Sequence, residues 1–166
     1  MANVKRILVA ADASNASRRA IDYVIQMVGG RRDIHVVLLH LELPPRMLEW
    51  GGSEDPEAED RVSEERARDY RELEKNALEE GRALLTTMRT SLADNGIDVA
   101  ALIVKFDEPL DPKQVAKDIL ATASKRDCGT VVVGRHTFTG LKRFFQHHVG
   151  EELVRTGNGV TVWVVE

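Results

Sequence analysis

Short apolar runs alternate with amphipathic segments along the whole of this chain, and this alternation restricts the possible folds more than any other feature. Residues 7–11 and 131–133 are apolar at every position, which is typical of strands buried on both faces of a parallel sheet. Between such runs, apolar residues recur at helical spacing, as at Ala20, Ile21 and Val24. Because parallel strands are joined by helical crossovers, the sequence predicts an α/β fold.

The alternation is regular enough to predict five strands separated by four helices. Strands are predicted at residues 6–11, 34–41, 99–106, 130–134 and 160–165. The longest helix is predicted at residues 62–94 and the last at about 148–156, while residues 44–61 are predicted to form a mobile surface loop. Right-handed crossovers then give an open, doubly wound, five-stranded parallel sheet with helices on both faces. A closed eight-stranded barrel is excluded, because it needs about 250 residues and the chain has 166.

Length, charge and cysteine content exclude several classes of protein. The length suits a single domain, predicted to span residues 1–166. The net charge of −4 argues against nucleic acid as a partner, since nucleic-acid-binding proteins carry a basic surface. Cys128 is the only cysteine, which excludes an intrachain disulfide and fits a reducing cytoplasm. We see no signal peptide and no apolar run long enough to span a membrane, so no membrane contact is expected.

Three loops are candidates for a binding site, because ligands of open α/β sheets collect beyond the carboxyl ends of the strands. These loops are residues 12–17, 40–44 and 134–148. In the third loop, Gly134 would let a ligand approach the backbone closely, and the following helix N-terminus would offer N–H groups to a phosphate. Glycines of this kind also occur in plain turns, so both a phosphate site and a simple turn remain open.

Several segments, in order and spacing, resemble the universal stress protein family. They read Ile-Leu-Val-Ala-Ala-Asp-Ala-Ser at 7–14, Arg-Arg-Ala-Ile-Asp-Tyr at 18–23, Val-Leu-Leu-His-Leu at 37–41, Val-Val-Val-Gly at 131–134, Thr-Gly-Leu-Lys-Arg-Phe-Phe at 139–145 and an apolar final strand at 160–165. The resemblance implies a Rossmann-like sheet of the adenine nucleotide alpha hydrolase-like type. It also implies a cytoplasmic binding or regulatory module of the stress response, with ATP or AMP as the candidate ligand.

The resemblance also implies which residues would meet a nucleotide. Asp12 matches the acidic residue that lies beside the ribose or adenine, and Leu41 matches the position whose backbone meets adenine. The full candidate site consists of Asp12, Ala13, Ser14, Leu41, Gly134, Arg135, His136, Gly140, His147, His148 and Val149. An Asp that follows a first strand can instead cap a helix or a turn, so this alternative stays open for Asp12.

The phosphate-binding loop departs from the pattern of the family's ATP-binding branch, which is Gly-x2-Gly-x9-Gly-Ser/Thr. Gly134 matches the first glycine, but Thr137, His147 and His148 occupy the other three positions. A side chain at a glycine position narrows the space around the phosphates, and the hydroxyl donor at the helix start is lost. We therefore expect ATP binding to be weakened or lost.

The adjacent histidines His147 and His148 allow three interpretations. They are simply exposed or hydrogen-bonded, or they pair with a phosphate, or they contribute to a metal site, for which a third ligand is not evident. Without a third ligand, we predict no metal site. We also predict no catalytic residues, since the chain has no P-loop and no recognisable nucleophile–base pair. Slow nucleotide hydrolysis and a purely structural, partner-binding dimer are the alternative functions.

The final strand is predicted to lie at a sheet edge, where unpaired backbone groups can recruit another strand. In the family this strand pairs with its copy in a second subunit. The resemblance therefore implies a two-fold homodimer with Val160, Val162, Trp163 and Val164 in the interface.

Overall fold

The computed structural model describes residues 3–42, 56–106, 112–135 and 149–166. Within these ranges five strands alternate with four helices, as predicted. The elements are β1 (Asn3–Ala10), α1 (Asn15–Val28), β2 (His35–Glu42), α2 (Pro56–Asp94), β3 (Asp98–Phe106), α3 (Pro112–Lys125), β4 (Cys128–Gly134), α4 (Val149–Thr156) and β5 (Thr161–Val165).

The five strands form one parallel sheet in the order β3-β2-β1-β4-β5, which confirms the predicted open, doubly wound fold. From β1 the chain runs outward through β2 to β3, then crosses back to β4 on the other side of β1. The order of the strands therefore reverses between β1 and β4. In sheets of this kind a crevice opens at the carboxyl ends of the strands at this point.

Two apolar cores cover the two faces of the sheet. Helices α1 and α2 pack on one face and helices α3 and α4 on the other. Within β1, Ile7 and Val9 point into the first core, whereas Leu8 and Ala10 point into the second. This alternation explains the uninterrupted apolar run, because both sets of side chains are buried. Each buried aliphatic side chain contributes about 1.5–3 kcal/mol to stability.

Helix α2 differs from the prediction at its N-terminal end. It begins at Pro56 and not at residue 62, so residues 56–61 of the predicted loop are helical, while residues 44–55 lie outside the described residues. Proline is favoured in the first helical turn, where its missing N–H has no intrahelical partner. The helix is buried mainly through its C-terminal half, at Gly81, Leu85, Met88 and Leu92, whereas Leu73 is 52% exposed.

Two local features concern the end of α2 and the start of β4. Gly96, directly after α2, adopts φ 75°, a left-handed conformation that glycine tolerates without a steric penalty and that stops the helix as predicted. Cys128 is the first residue of β4, although the sequence predicted the strand to begin at residue 130, and its side chain is buried.

In the ranges that the structure describes, no helix combines the length and the apolar character needed to cross a membrane.

Candidate functional site

The segments that leave β1, β2 and β4 meet at one edge of the sheet. Ala10 pairs with Leu39 of β2 on one side and with Val133 of β4 on the other. Asp12 therefore follows β1, Gly134 ends the neighbouring strand β4, and Leu41 is the penultimate residue of β2 on the other side of β1. The structure thus brings these three predicted residues to one edge. Their contact with a ligand remains a prediction.

Asp12 organises the turn between β1 and α1. Its Oδ1 accepts hydrogen bonds from the Ser14 backbone N–H at 2.9 Å and from the Ser17 hydroxyl at 2.7 Å. The Asp12 N–H in turn donates to Ser17 Oγ at 2.8 Å. Ser14 is the N-cap of α1, since its side chain accepts from the Ser17 N–H. Of the two capping roles considered for Asp12, the structure therefore shows that of a turn cap, and these hydrogen bonds hold its carboxyl group beside the crevice.

His40 and Glu42, which the site prediction does not include, hold this edge from β2. His40 is 7% exposed, and its Nδ1 lies 2.9 Å from the backbone oxygen of Ala11. Its Nε2 lies 2.8 Å from Glu42 Oε2. The sequence signal is a histidine within an otherwise apolar strand, a pattern that by itself indicates packing only. Leu41, between these two residues, points its side chain into the second core, so its backbone is the part available at the edge.

Gly134 and Arg135 leave β4 toward β5. Gly134 pairs with Val165, and the Arg135 N–H donates to the Val165 backbone oxygen at 2.7 Å. The Arg135 guanidinium forms an ion pair with Glu166. Arg135 is therefore tied to the last strand, and a phosphate would have to compete with the Glu166 carboxylate for its charge.

Val149 begins α4, and its side chain lies in the second core. Only its backbone could therefore contribute to a binding site. Ala13, in the turn after β1, is exposed. His136, Gly140, His147 and His148 lie outside the described residues. Among the residues that are described, no three His, Cys, Asp or Glu side chains lie close enough together to hold a metal ion.

The predicted interface strand β5 lies at an edge of the sheet. Trp163 points into the first core and packs edge-to-face on Tyr23, with ring centroids 5.7 Å apart. Val160 and Val162 pack partly on the second core. Val164 is 41% exposed and lines the same groove as Val154, which is 63% exposed. The most exposed apolar side chains at this edge are therefore those of Val164 on β5 and Val154 on α4, while Trp163 is partly buried.

Comparison with known proteins places the fold in a family. A model of the universal stress protein family matches residues 3–166. A universal stress protein family protein from Burkholderia pseudomallei is 21% identical, with 98% of this chain and 96% of that chain covered and a TM-score of 0.63. No curated protein is similar enough to match.

Two further structures with this fold were solved with a nucleotide. A universal stress protein family protein from Arabidopsis thaliana with AMP bound is 17% identical to this chain. The match covers 96% of this chain and 90% of that chain, with a TM-score of 0.60. The universal stress protein from Archaeoglobus fulgidus in complex with dAMP is 19% identical, covers 100% of both chains and has a TM-score of 0.58. At these identities the likeness establishes the fold of this chain and not its ligand.

Proposed function

This chain belongs to the universal stress protein family, and on that premise we propose that it is a cytoplasmic binding and regulatory module whose crevice takes an adenine nucleoside monophosphate and holds ATP only weakly. The observation that carries the proposal is the position of Asp12 and Leu41 beside the strand-order reversal between β1 and β4. Relatives with this fold were solved with AMP and with dAMP.

At the end of the crevice that would hold the nucleoside, Asp12 and Leu41 offer suitable hydrogen-bonding groups. The hydrogen bonds from Ser14 and Ser17 hold the Asp12 carboxyl group in one orientation. A carboxylate is a strong acceptor for the hydroxyl groups of a ribose. The backbone of Leu41, at the end of β2, supplies N–H and C=O groups of the kind that read the edge of a purine ring.

The triphosphate end departs from what ATP requires. Thr137, His147 and His148 stand where the family's ATP-binding branch has two glycines and a hydroxyl residue. Side chains in place of glycines limit how closely the backbone can wrap the β- and γ-phosphates. A monophosphate needs fewer such contacts, so it loses less affinity from these replacements.

Binding without catalysis fits the chemistry of the turn. The Ser17 hydroxyl, which is hydrogen-bonded to Asp12, is completely buried and cannot reach a substrate. Asp12 is engaged in holding the turn, which suits a binding group better than a general base. The buried single thiol of Cys128 is compatible with a reducing compartment.

The proposal is tested by titrating the protein with AMP in a calorimeter and comparing Asp12→Asn with Asp22→Asn. The amide oxygen of the replacement side chain can still accept from Ser14, but the charge and one acceptor atom are lost. We expect the AMP affinity to fall about tenfold or more, as for a hydrogen bond to a charged group. Asp22 is exposed on α1, so its replacement serves as the control. Equal AMP affinities of wild type and Asp12→Asn would contradict the proposed site.

We also propose that the module is a homodimer formed through β5. Val165 accepts from the Arg135 N–H, so the alternate residues Val162 and Val164 direct their backbone groups away from β4. The exposed side chains of Val154 and Val164 would add apolar contact next to that pairing. Sedimentation at micromolar concentration should find a dimer, and a monomer alone would overturn this part of the proposal.

A further inference from the structure

Both polar groups of the peptide that joins Ala11 to Asp12 are held by side chains from different elements. The Ala11 C=O accepts from His40 Nδ1 on β2 at 2.9 Å, and the Asp12 N–H donates to Ser17 Oγ on α1 at 2.8 Å. The Ala11 N–H is also bound, to the Leu39 backbone oxygen at 2.9 Å. Because this peptide opens the turn that carries the Asp12 carboxylate, its orientation sets where that carboxylate points.

The protons of the His40 ring follow from its partners. A carbonyl oxygen can only accept, so Nδ1 carries a proton and donates it to Ala11. Nε2 faces Glu42 Oε2 at 2.8 Å, which is within hydrogen-bond distance. Glu42 therefore holds the ring so that Nδ1 stays aimed at Ala11, as an oriented second partner does for other functional histidines.

Helix α2 covers this ring closely. A Cβ added at Gly81 would lie 2.8 Å from His40 Cδ2 and 3.0 Å from Val104 Cγ1, both far closer than ordinary contact. The ring is thus enclosed between α2, β3 and the edge of β1.

We propose that His40 is a positioning residue of the nucleotide site: it fixes the peptide between Ala11 and Asp12 and so presents the Asp12 carboxylate to the ligand. The inference rests on the proposed function. His40 does not touch the nucleotide in this account, since its two ring nitrogens are bound to Ala11 and Glu42. Its effect reaches the ligand through the backbone of the turn.

Two variants separate this role from packing. In His40→Asn the amide nitrogen lies near the position of Nδ1 and can still donate to Ala11, whereas in His40→Gln it lies near that of Nε2 and cannot. We expect His40→Asn to bind AMP within about threefold of wild type and His40→Gln to bind it about tenfold more weakly, which corresponds to one lost hydrogen bond. His35→Gln is the matched control, because His35 lies at the other end of β2 and pairs there with the exposed Asp98.

A second readout needs no nucleotide. Hydrogen exchange of the Asp12 amide, measured by NMR on the free protein, reports whether the peptide stays in place. We expect exchange to be about tenfold faster in His40→Gln and nearly unchanged in His40→Asn, as one hydrogen bond predicts. If wild type binds no AMP, the proposed function fails, yet this exchange still decides the role of His40. The positioning role is overturned if His40→Gln leaves the exchange unchanged, or if both variants lose protection and thermal stability equally.

Discussion

The imidazole of His40 lies directly beneath Gly81, with Cδ2 only 2.8 Å from the place where a Cβ at position 81 would stand. The absence of a side chain at this one position lets the longest helix approach the sheet at the residue that holds the edge of the crevice. The contact joins residues on α2 and β2 that are far apart in the sequence. Because of this contact, we expect a side chain at position 81 to lower stability, although glycine is usually unfavourable inside a helix.

Gly81→Ala should destabilise the protein, although glycine to alanine in a helix interior normally stabilises by about 1 kcal/mol. The new methyl group must displace His40 or Val104, and overpacking of this kind costs about 1–3 kcal/mol. Urea unfolding measures the difference. Ala83→Gly, at an exposed site nearby on α2, is the control and should show the ordinary loss of about 1 kcal/mol. A gain in stability for Gly81→Ala would mean that α2 adjusts without strain.

Ser17→Ala should destabilise the protein by about 1–3 kcal/mol, because it leaves the Asp12 N–H without its acceptor. The same change removes the hydroxyl that donates to Asp12 Oδ1, so AMP affinity should fall as well. Chemical unfolding and calorimetry test the two effects. Ser124→Ala, exposed on α3, should change stability by less than about 0.5 kcal/mol. Identical behaviour of the two variants would show that the turn does not depend on this hydroxyl.

Burial raises the pKa of the Cys128 thiol, and the nearby charges have smaller effects: Arg6 and Arg126 lower this pKa, whereas Asp127 raises it. As pH rises above the ordinary thiol pKa of about 8.5, the unfolded chain therefore loses this proton before the native protein does. The contribution of Cys128 to stability is complete below that pH and declines as pH rises toward the native pKa. Unfolding free energies measured at about pH 7.5 and about pH 9.5, on either side of the ordinary thiol pKa, should fall more in wild type than in Cys128→Ala. Equal slopes in the two proteins would contradict the effect of burial.

Val164→Lys should weaken the proposed dimer at least tenfold, because it places a charge on the exposed apolar part of the β5 edge. Sedimentation over a range of concentrations gives the dissociation constant. Met27→Lys, at a similarly exposed apolar position on α1, is the control and should leave association unchanged. If both variants associate as wild type does, the subunits do not meet through β5.

The sheet was predictable because a strand buried on both faces must be apolar throughout. Residues 7–11 and 131–133 have this pattern. In the structure, residues 7–10 lie in β1, Ala11 follows β1 directly, and residues 131–133 lie in β4. The start of α2 at Pro56 was missed because its first turns are strongly charged and carry no apolar period, so they look like a loop. A helix is recognised in a sequence from apolar residues that recur on one face, and residues 56–61 contain few apolar residues.

The candidate site was only partly predictable. Asp12 was predicted from the resemblance to the family, but its hydrogen bonds with Ser14 and Ser17 became evident only in the structure. The role of His40 was missed, because it depends on Ala11 and Gly81, which come together only when the sheet and α2 have formed. Local sequence patterns cannot encode contacts of this range.

The main proposal is that the crevice accepts an adenine nucleoside monophosphate and holds ATP only weakly. The most direct test is isothermal titration calorimetry of wild-type protein, stripped of any co-purified nucleotide, with AMP and with ATP under the same conditions. We expect AMP to bind at least tenfold more tightly than ATP. Submicromolar ATP affinity, or ATP binding as tightly as AMP, would contradict it.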